Sequence, residues 1–322
     1  MLAQGDLGRQ LERRFAVWLG AKDSVAVGSG AAAIVLALHG LCVVRGDEVI
    51  LPTYVCQSVL EAVLSVGAVP VLCDVGENWV MTRTDAERCI SNKTRAIIAP
   101  HMYGIFADVP SLRSLGFPVI EDCAQALDAE GKHHLEGDVA ILSFHPTKCL
   151  TSGEGGMAVA SDDGILARMR AYRDGAKTGY CARLLSPMSN IAAGLALSQA
   201  DQYNQMLERR REIARCYFNA LEICAPDCLN REAVENSMFF RFPIRVSGGL
   251  ESCQRAFLDR RVHVRRGVDK LLHREMKLPD SQFPTAIALF ESTVSIPVYP
   301  ALSKSQMLRC ISAMEHVLCG RK

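Results

Sequence analysis

A rhythm of short apolar runs, each ending in polar or glycine residues and followed by a helix-spaced stretch, constrains this chain more than any other feature. It begins at Val25-Ala26-Val27-Gly28-Ser29-Gly30, which leads into the alanine-rich stretch from Ala31 to Leu38. It returns at Gly46 to Pro52 before a helical Val55 to Val66, and at Val69 to Asp74 before a short helix over Asp85 to Ile90. A third return runs from Arg95 to Gly104, before a helix opened by Asp108 and Pro110. Strands and helices alternating at short intervals predict parallel crossovers with helices on both faces of one sheet, an α/β fold. Ligands of such sheets collect at the carboxyl ends of the strands, so the residues there are the functional candidates.

Two of these ends carry chemistry. Val119-Ile120-Glu121-Asp122-Cys123-Ala124-Gln125 delivers an acid, and Ile141-Leu142-Ser143-Phe144-His145-Pro146-Thr147-Lys148 delivers an amine. Taken singly, Asp122 reads equally as a turn residue and Lys148 as a solvated side chain. Taken together they are the pair an enzyme using pyridoxal 5'-phosphate needs: a lysine to join the cofactor aldehyde and a carboxylate to keep its pyridine nitrogen protonated. The glycine turn at Gly30 opens a helix whose bare amides and positive dipole end suit a phosphate, a signal common to many α/β proteins.

With Gln125 three positions after the acid and Ser143 five before the lysine, the motifs resemble the DegT/DnrJ/EryC1/StrS family of pyridoxal-phosphate-dependent sugar aminotransferases. The resemblance runs from the Leu11 to Leu19 segment to the Val294 to Leu302 segment, and includes His101-Met102-Tyr103-Gly104. It implies a fold type I transferase. A large, mostly parallel seven-stranded domain would cover 1–205, and a linking helix with a small C-terminal α+β domain 206–322. It implies Lys148 as the catalytic lysine and Asp122 at the ring nitrogen. Gln125 would sit at the phenolic oxygen, Ser143, Gly30 and Ala31 at the phosphate, and His145 and Glu154 toward substrate. The substrates implied are glutamate as amino donor and a keto sugar acceptor, a nucleotide-linked 4-keto-6-deoxyhexose, handled by a cytoplasmic homodimer.

The chain departs from the family pattern in three places. Ala31 stands where a threonine is usual, which removes one hydroxyl from the cradle. Cys56 stands where an aromatic ring stacks on the cofactor, leaving Cys56, nearby Tyr54 or neither in that role. Leu185 and Pro187 replace the Asn and Arg of a motif that reaches across the dimer. These departures keep two other readings open: the same cofactor acting on a non-sugar keto substrate, and a regulatory descendant that retains only the fold.

Net charge of +1 gives no electrostatic case for nucleic acid or an anionic membrane, and no apolar run reaches the roughly 20 residues of a membrane span. Asp6, Arg9, Glu12, Arg13 and Arg14 make the start unlike a signal peptide. The thirteen cysteines are scattered without a C-x-x-C pair, and most lie in apolar runs. They read as small buried apolar residues in a reducing compartment, with no metal site, and His133 and His134 read as solvated. Leu7, Leu11, Phe15 and Trp18 predict an amphipathic first helix stopped by Gly20, and a long helix is predicted from Ile191 to about Leu221. The last third predicts strands at Phe239 to Val246 and Val262 to Val264, a helix over Leu250 to Leu258, and a final helix from Lys304 to Leu318.

Overall fold

The computed structural model describes residues 5–175, 184, 186–235 and 237–320. Strands β1 (Asp23–Val27), β2 (Glu48–Pro52), β3 (Val69–Cys73), β4 (Thr94–Pro100), β5 (Val119–Asp122), β6 (Val139–Ser143) and β7 (Gly156–Ala160) form one sheet. Their order is β1-β7-β6-β5-β4-β2-β3. The pairs β2–β3, β2–β4, β4–β5 and β5–β6 are parallel, whereas β7 runs antiparallel to both β1 and β6. The reversal has a local cause: no helix interrupts Phe144 to Gly155, and a parallel return requires a crossover that is usually helical.

Alternation along the strands fills a core on each face. Val25, Val27, Ile141, Ala158 and Ala160 bury on one side. Ala26, Ala140, Leu142, Met157 and Val159 bury on the other. Helix α1 (Asp6–Trp18) covers the second face through Leu11, Phe15 and Trp18, packing on β1 and on a much longer helix rather than standing free for a neighbour. The predicted stop at Gly20 is a left-handed residue, with φ +60°. Helices α2 (Gly30–Gly40), α3 (Gln57–Ser65), α4 (Arg83–Glu87), α5 (Val109–Arg113) and α6 (Asp163–Asp174) follow their strands. The α4 segment starts two residues before the expected Asp85 because Thr82 and Asp85 close a reciprocal capping box around the helix start.

Helix α7 (Asn190–Cys224) links the two halves, and the boundary expected at residue 205 falls inside it. Its first part, with Ala193, Ala196 and Tyr203, joins the core under the large sheet. Its second part, with Ile213, Tyr217 and Leu221, joins a separate core around β8 (Phe242–Arg245) and β9 (Thr293–Ile296), which pair antiparallel. β8 is shorter than the strand expected from Phe239, because Phe239 itself adopts φ +58° and ends the extended run. The strand expected at Val262 to Val264 is corrected: this segment forms no strand and meets the sheet only through an isolated bridge between Arg265 and Ser295. Val262 and Val264 still bury their side chains, so the alternation read from sequence is real without a ladder behind it.

The cysteine reading also needs correction. Cys73, Cys123 and Cys310 are buried thiols, but Cys224 at the end of α7 and Cys319 form a disulfide across a separation of 95 residues. No helix among the described residues is long and apolar enough to cross a membrane.

A close backbone approach next to α2 involves Gly156, where a Cβ would lie 2.2 Å from the Ser29 carbonyl oxygen. A side chain there must push β7 from the turn before α2. Gly156→Ala is expected to destabilise the protein by about 1–3 kcal/mol in urea unfolding. Its effect should exceed that of Gly8→Ala, a site with nothing within 4 Å and no left-handed backbone but the same unfolded-state gain.

Candidate functional site

Three chain segments meet at the carboxyl ends of β5 and β6. Asp122 closes β5 at 6% exposure, and its Oδ1 accepts the Ala124 N–H at 3.0 Å. Burial pushes this carboxyl above its ordinary range, while the Ala124 N–H and the positive charge of Lys148 pull the other way. Lys148 sits half-buried in the loop after β6, held by its N–H donating to the His145 carbonyl at 2.9 Å. Its Nζ lies 5.6 Å from the centroid of the Phe240 ring. Lys148 lines a cavity of about 740 Å³ with Phe240, Arg241 and Tyr299, and also lines a small recess with Gln125 and Ser143.

The third segment is the start of α2. Ser29 caps the helix by accepting the Ala32 N–H at 3.1 Å. As first-turn residues, Gly30 and Ala31 have N–H groups without intrahelical partners. A Cβ on Gly30 would stand 2.8 Å from that of Ser143, so a residue with no side chain is what lets this helix end sit beside the end of β6. Gln125 is oriented by accepting the Tyr103 N–H through Oε1 at 3.1 Å, which leaves its Nε2 as the donating end.

The remaining candidates are placed differently. Cys56 is exposed at the N-cap of α3, 3.2 Å from the Ser58 hydroxyl, so it is not a core residue. Tyr54 is fully buried and bonded to the Tyr103 hydroxyl at 2.8 Å, and desolvation raises its hydroxyl to about 12. His145 is exposed and closes a local turn, its Nδ1 lying 3.0 Å from the Thr147 hydroxyl; Pro146 and Thr147 line the large cavity, and His145 does not. Glu154 is exposed, and its backbone carbonyl accepts the Ser152 hydroxyl at 2.7 Å. Leu185 lies outside the described residues. Pro187 bridges to Val27, Ser189 caps α7, and Asn190 accepts the Leu7 N–H at 3.1 Å.

His133 is the clearest miss of the sequence reading. It is folded inward, stacks on Phe106 and meets Glu121 Oε2 at 3.1 Å, while His101 meets the same oxygen at 3.3 Å. The N–H groups of Glu136 and Gly137 donate to Oε1. Burial alone would raise the Glu121 carboxyl, but His101 and His133 hold it far below its ordinary value of 4.5. With Cys123, these residues form the one cluster of metal-ligand types among the described residues. Its hydrogen bonding argues against a metal: His101 Nδ1 accepts the Ala107 N–H at 3.0 Å, so its proton sits on Nε2, the atom a metal would need bare. A loop histidine carries no periodicity, and only its Lys132-His133-His134 context was available in sequence.

Comparison with known proteins matches residues 1–315 to the model of the DegT/DnrJ/EryC1/StrS aminotransferase family. GDP-perosamine synthase of Vibrio cholerae is 34% identical, over 66% of this chain and 62% of that protein, which is less than two thirds of its length. A UDP-N-acetyl-3-dehydro-alpha-D-glucosamine 3-aminotransferase of Acidithiobacillus ferrooxidans is 31% identical over 98% of this chain and 90% of the relative. Among solved structures, an aminotransferase from Psychrobacter cryohalolentis shares the fold at a TM-score of 0.91 and 24% identity, covering 98% of this chain and 92% of that one.

Glu121 yields a stability prediction. Its folded pKa is depressed, so its stabilisation is complete above about pH 4.5 and fades as pH falls below that value. Glu121→Gln turns an amide N–H₂ toward donors and is expected to cost about 2–4 kcal/mol at pH 7. Urea unfolding at pH 7 and pH 4 should show the gap to wild type narrowing on acidification.

Proposed function

The chain belongs to the DegT/DnrJ/EryC1/StrS aminotransferase family, and from that premise we propose that it transfers an amino group from glutamate to a keto sugar, a nucleotide-linked 4-keto-6-deoxyhexose. The family depends on pyridoxal 5'-phosphate. What supports the reading most is the buried Asp122 at the end of β5, within electrostatic reach of Lys148 after β6 and beside the open start of α2. The donor set fits the cofactor: an acid for a ring nitrogen, an amine for an aldehyde, and amides with a hydroxyl for a phosphate.

Bound there, the cofactor supplies an aldehyde for amine exchange and a protonated ring that accepts electron density from the substrate carbon. Asp122 holds the proton on the pyridine nitrogen, its burial making the ion pair costly to leave unmade. The Gly30 and Ala31 N–H groups and the Ser143 hydroxyl bind the phosphate at the positive end of α2. Gln125 donates Nε2 toward the phenolic oxygen. Lys148 Nζ takes the α-proton of glutamate and, in the second half of the cycle, the reverse transfer delivers a proton to the former ketone carbon. Cys56 flanks the ring from the N-cap of α3, and His145 and Glu154 contact substrate from the exposed loops on either side of Lys148. The enzyme works as a cytoplasmic homodimer, with 1–205 as the large domain and 206–322 as the linking helix and small domain.

The expected results are specific. Wild type takes up pyridoxal phosphate as a coloured adduct fixed by borohydride, and Lys148→Ala gives no fixed adduct. Asp122→Asn retains the cofactor but loses about 10²–10³ in kcat. Mass spectrometry after incubation with glutamate and nucleotide-linked keto sugars should show an amino sugar; amination of only non-sugar keto acids would overturn the acceptor assignment.

A further inference from the structure

The ring of Phe240 faces an amine, not a core. It is only 6% exposed, yet it belongs to none of the three apolar clusters among the described residues. Its centroid lies 5.6 Å from Lys148 Nζ and 5.5 Å from the Arg241 guanidinium carbon, so one aromatic ring is shared by two cations. The preceding residue behaves differently: Phe239 joins the small core and stacks on Phe242. Its left-handed backbone, φ +58°, turns the chain between the two rings and sends Phe240 to the cavity wall. A bulky residue adopts that conformation at a cost, and such strain persists only where the surroundings over-determine it.

Here they do. The Ser237 hydroxyl donates to the Tyr103 carbonyl at 3.0 Å and accepts the Phe239 N–H at 2.8 Å, while the Met238 N–H donates to the Gly104 carbonyl at 2.9 Å. From the other side Arg210 Nη1 donates to the carbonyls of Phe239 and Phe240 at 3.3 and 3.2 Å. The segment from Ser237 to Phe240 is thus tied both to the turn after β4 and to α7, which holds the ring still.

Lys148 has the opposite character. Among the described residues its Nζ forms no salt bridge or hydrogen bond, and the group it faces is the Phe240 ring. Asp122 lies within electrostatic reach, buried and supplied with the Ala124 N–H. An ammonium and a carboxylate short of donors in one cavity tend to pair, and pairing would close the space between them. The negative face of an aromatic ring attracts an ammonium without accepting the hydrogen bond a carboxylate would, so it holds the charge loosely enough to release it.

We propose that Phe240 is a positioning residue: its ring seats the Lys148 ammonium whenever that amine is not covalently engaged, and so keeps it off the Asp122 carboxylate. That this amine and this acid then serve opposite ends of one heterocycle rests on the amino-transfer reading. The seat itself rests on geometry and charge.

The test is nuclear magnetic resonance of the full chain, freed of cofactor and reductively methylated with isotopically labelled formaldehyde, which keeps the lysine charge. Lys148→Arg identifies the Lys148 methyl signal by its loss. In wild type that signal should be displaced upfield by the ring current and show a nuclear Overhauser effect to a phenylalanine ring proton, a check that needs no variant. Phe240→Leu should return it to the position of exposed lysines, and Phe240→Tyr, which keeps an aromatic face, should retain the displacement. Capture of pyridoxal phosphate by unmodified Phe240→Leu, followed as the borohydride-fixed adduct, should slow roughly tenfold. On an Asp122→Asn background, where there is no carboxylate to fall onto, the same substitution should slow capture by less than about twofold. Circular dichroism of each variant checks the fold. The proposal is overturned if the wild-type signal is not displaced, if folded Phe240→Leu leaves it displaced, or if Phe240→Leu slows capture equally on both backgrounds. A ring-displaced Lys148 signal in a protein that fixes no cofactor would sustain the seat and sink the amino-transfer reading. Cofactor fixed on Lys148 with no displacement would do the reverse.

Discussion

The site depends on two backbones passing closer than side chains would allow. Gly156 in β7 backs onto the Ser29 carbonyl, and Gly30 at the start of α2 faces Ser143 at the end of β6. Together they bring a helix N-terminus, with its unbonded N–H groups, up to the strand ends that carry the acid and precede the lysine loop. The same approach explains why β7 runs backwards. A parallel strand in that position would need a crossover helix, and the short loop that replaces it carries Lys148 and leads directly into Gly156.

The two adjacent acids of β5 show how one strand divides structural from chemical work. Consecutive residues of a strand point to opposite faces. Glu121 is surrounded by His101, His133 and two backbone N–H groups, so its charge is satisfied inside the protein. Asp122 receives the Ala124 N–H, and Lys148 acts on it electrostatically. Desolvation works against both carboxylates, but only Glu121 has enough donors to overcome it. A buried acid short of donors is suited to hold a ligand proton. The neighbour that shares its backbone keeps the strand end rigid while it does so.

This division also marks what could be read in advance. Asp122, Lys148, Ser143 and Gly30 lie at ends of apolar runs, and strand alternation with the turn chemistry of glycine is enough to group them. Glu121 was visible as a residue, but its partners come from a loop and from the turn after β4, so its role required the fold. Val262 and Val264 gave a true burial pattern but a false strand, since periodicity reports which side chains are buried and says nothing of which backbone groups find partners. Cys224 and Cys319 gave no local sign of pairing, because 95 residues of chain return one to the other. Cys56 was ambiguous between core and site for a similar reason: an N-cap position fixes the backbone and leaves exposure to tertiary packing.

Coupling between the two halves of the molecule follows from one residue on α7. The helix begins in the core under the large sheet and ends in the core of the small one, so its orientation is set by both. Arg210, in its second part, gathers the carbonyls of Phe239, Phe240 and Val298. Phe239 and Phe240 precede β8 and Val298 follows β9, and these ends pair side by side, so the guanidinium ties one end of both strands to the linking helix. Phe240 in turn presents its ring to the Lys148 amine and to Arg241. The aromatic face beside Lys148 and the segment from Arg261 to Arg265 are thus both anchored to the small sheet, the latter through its bridge to Ser295 in β9.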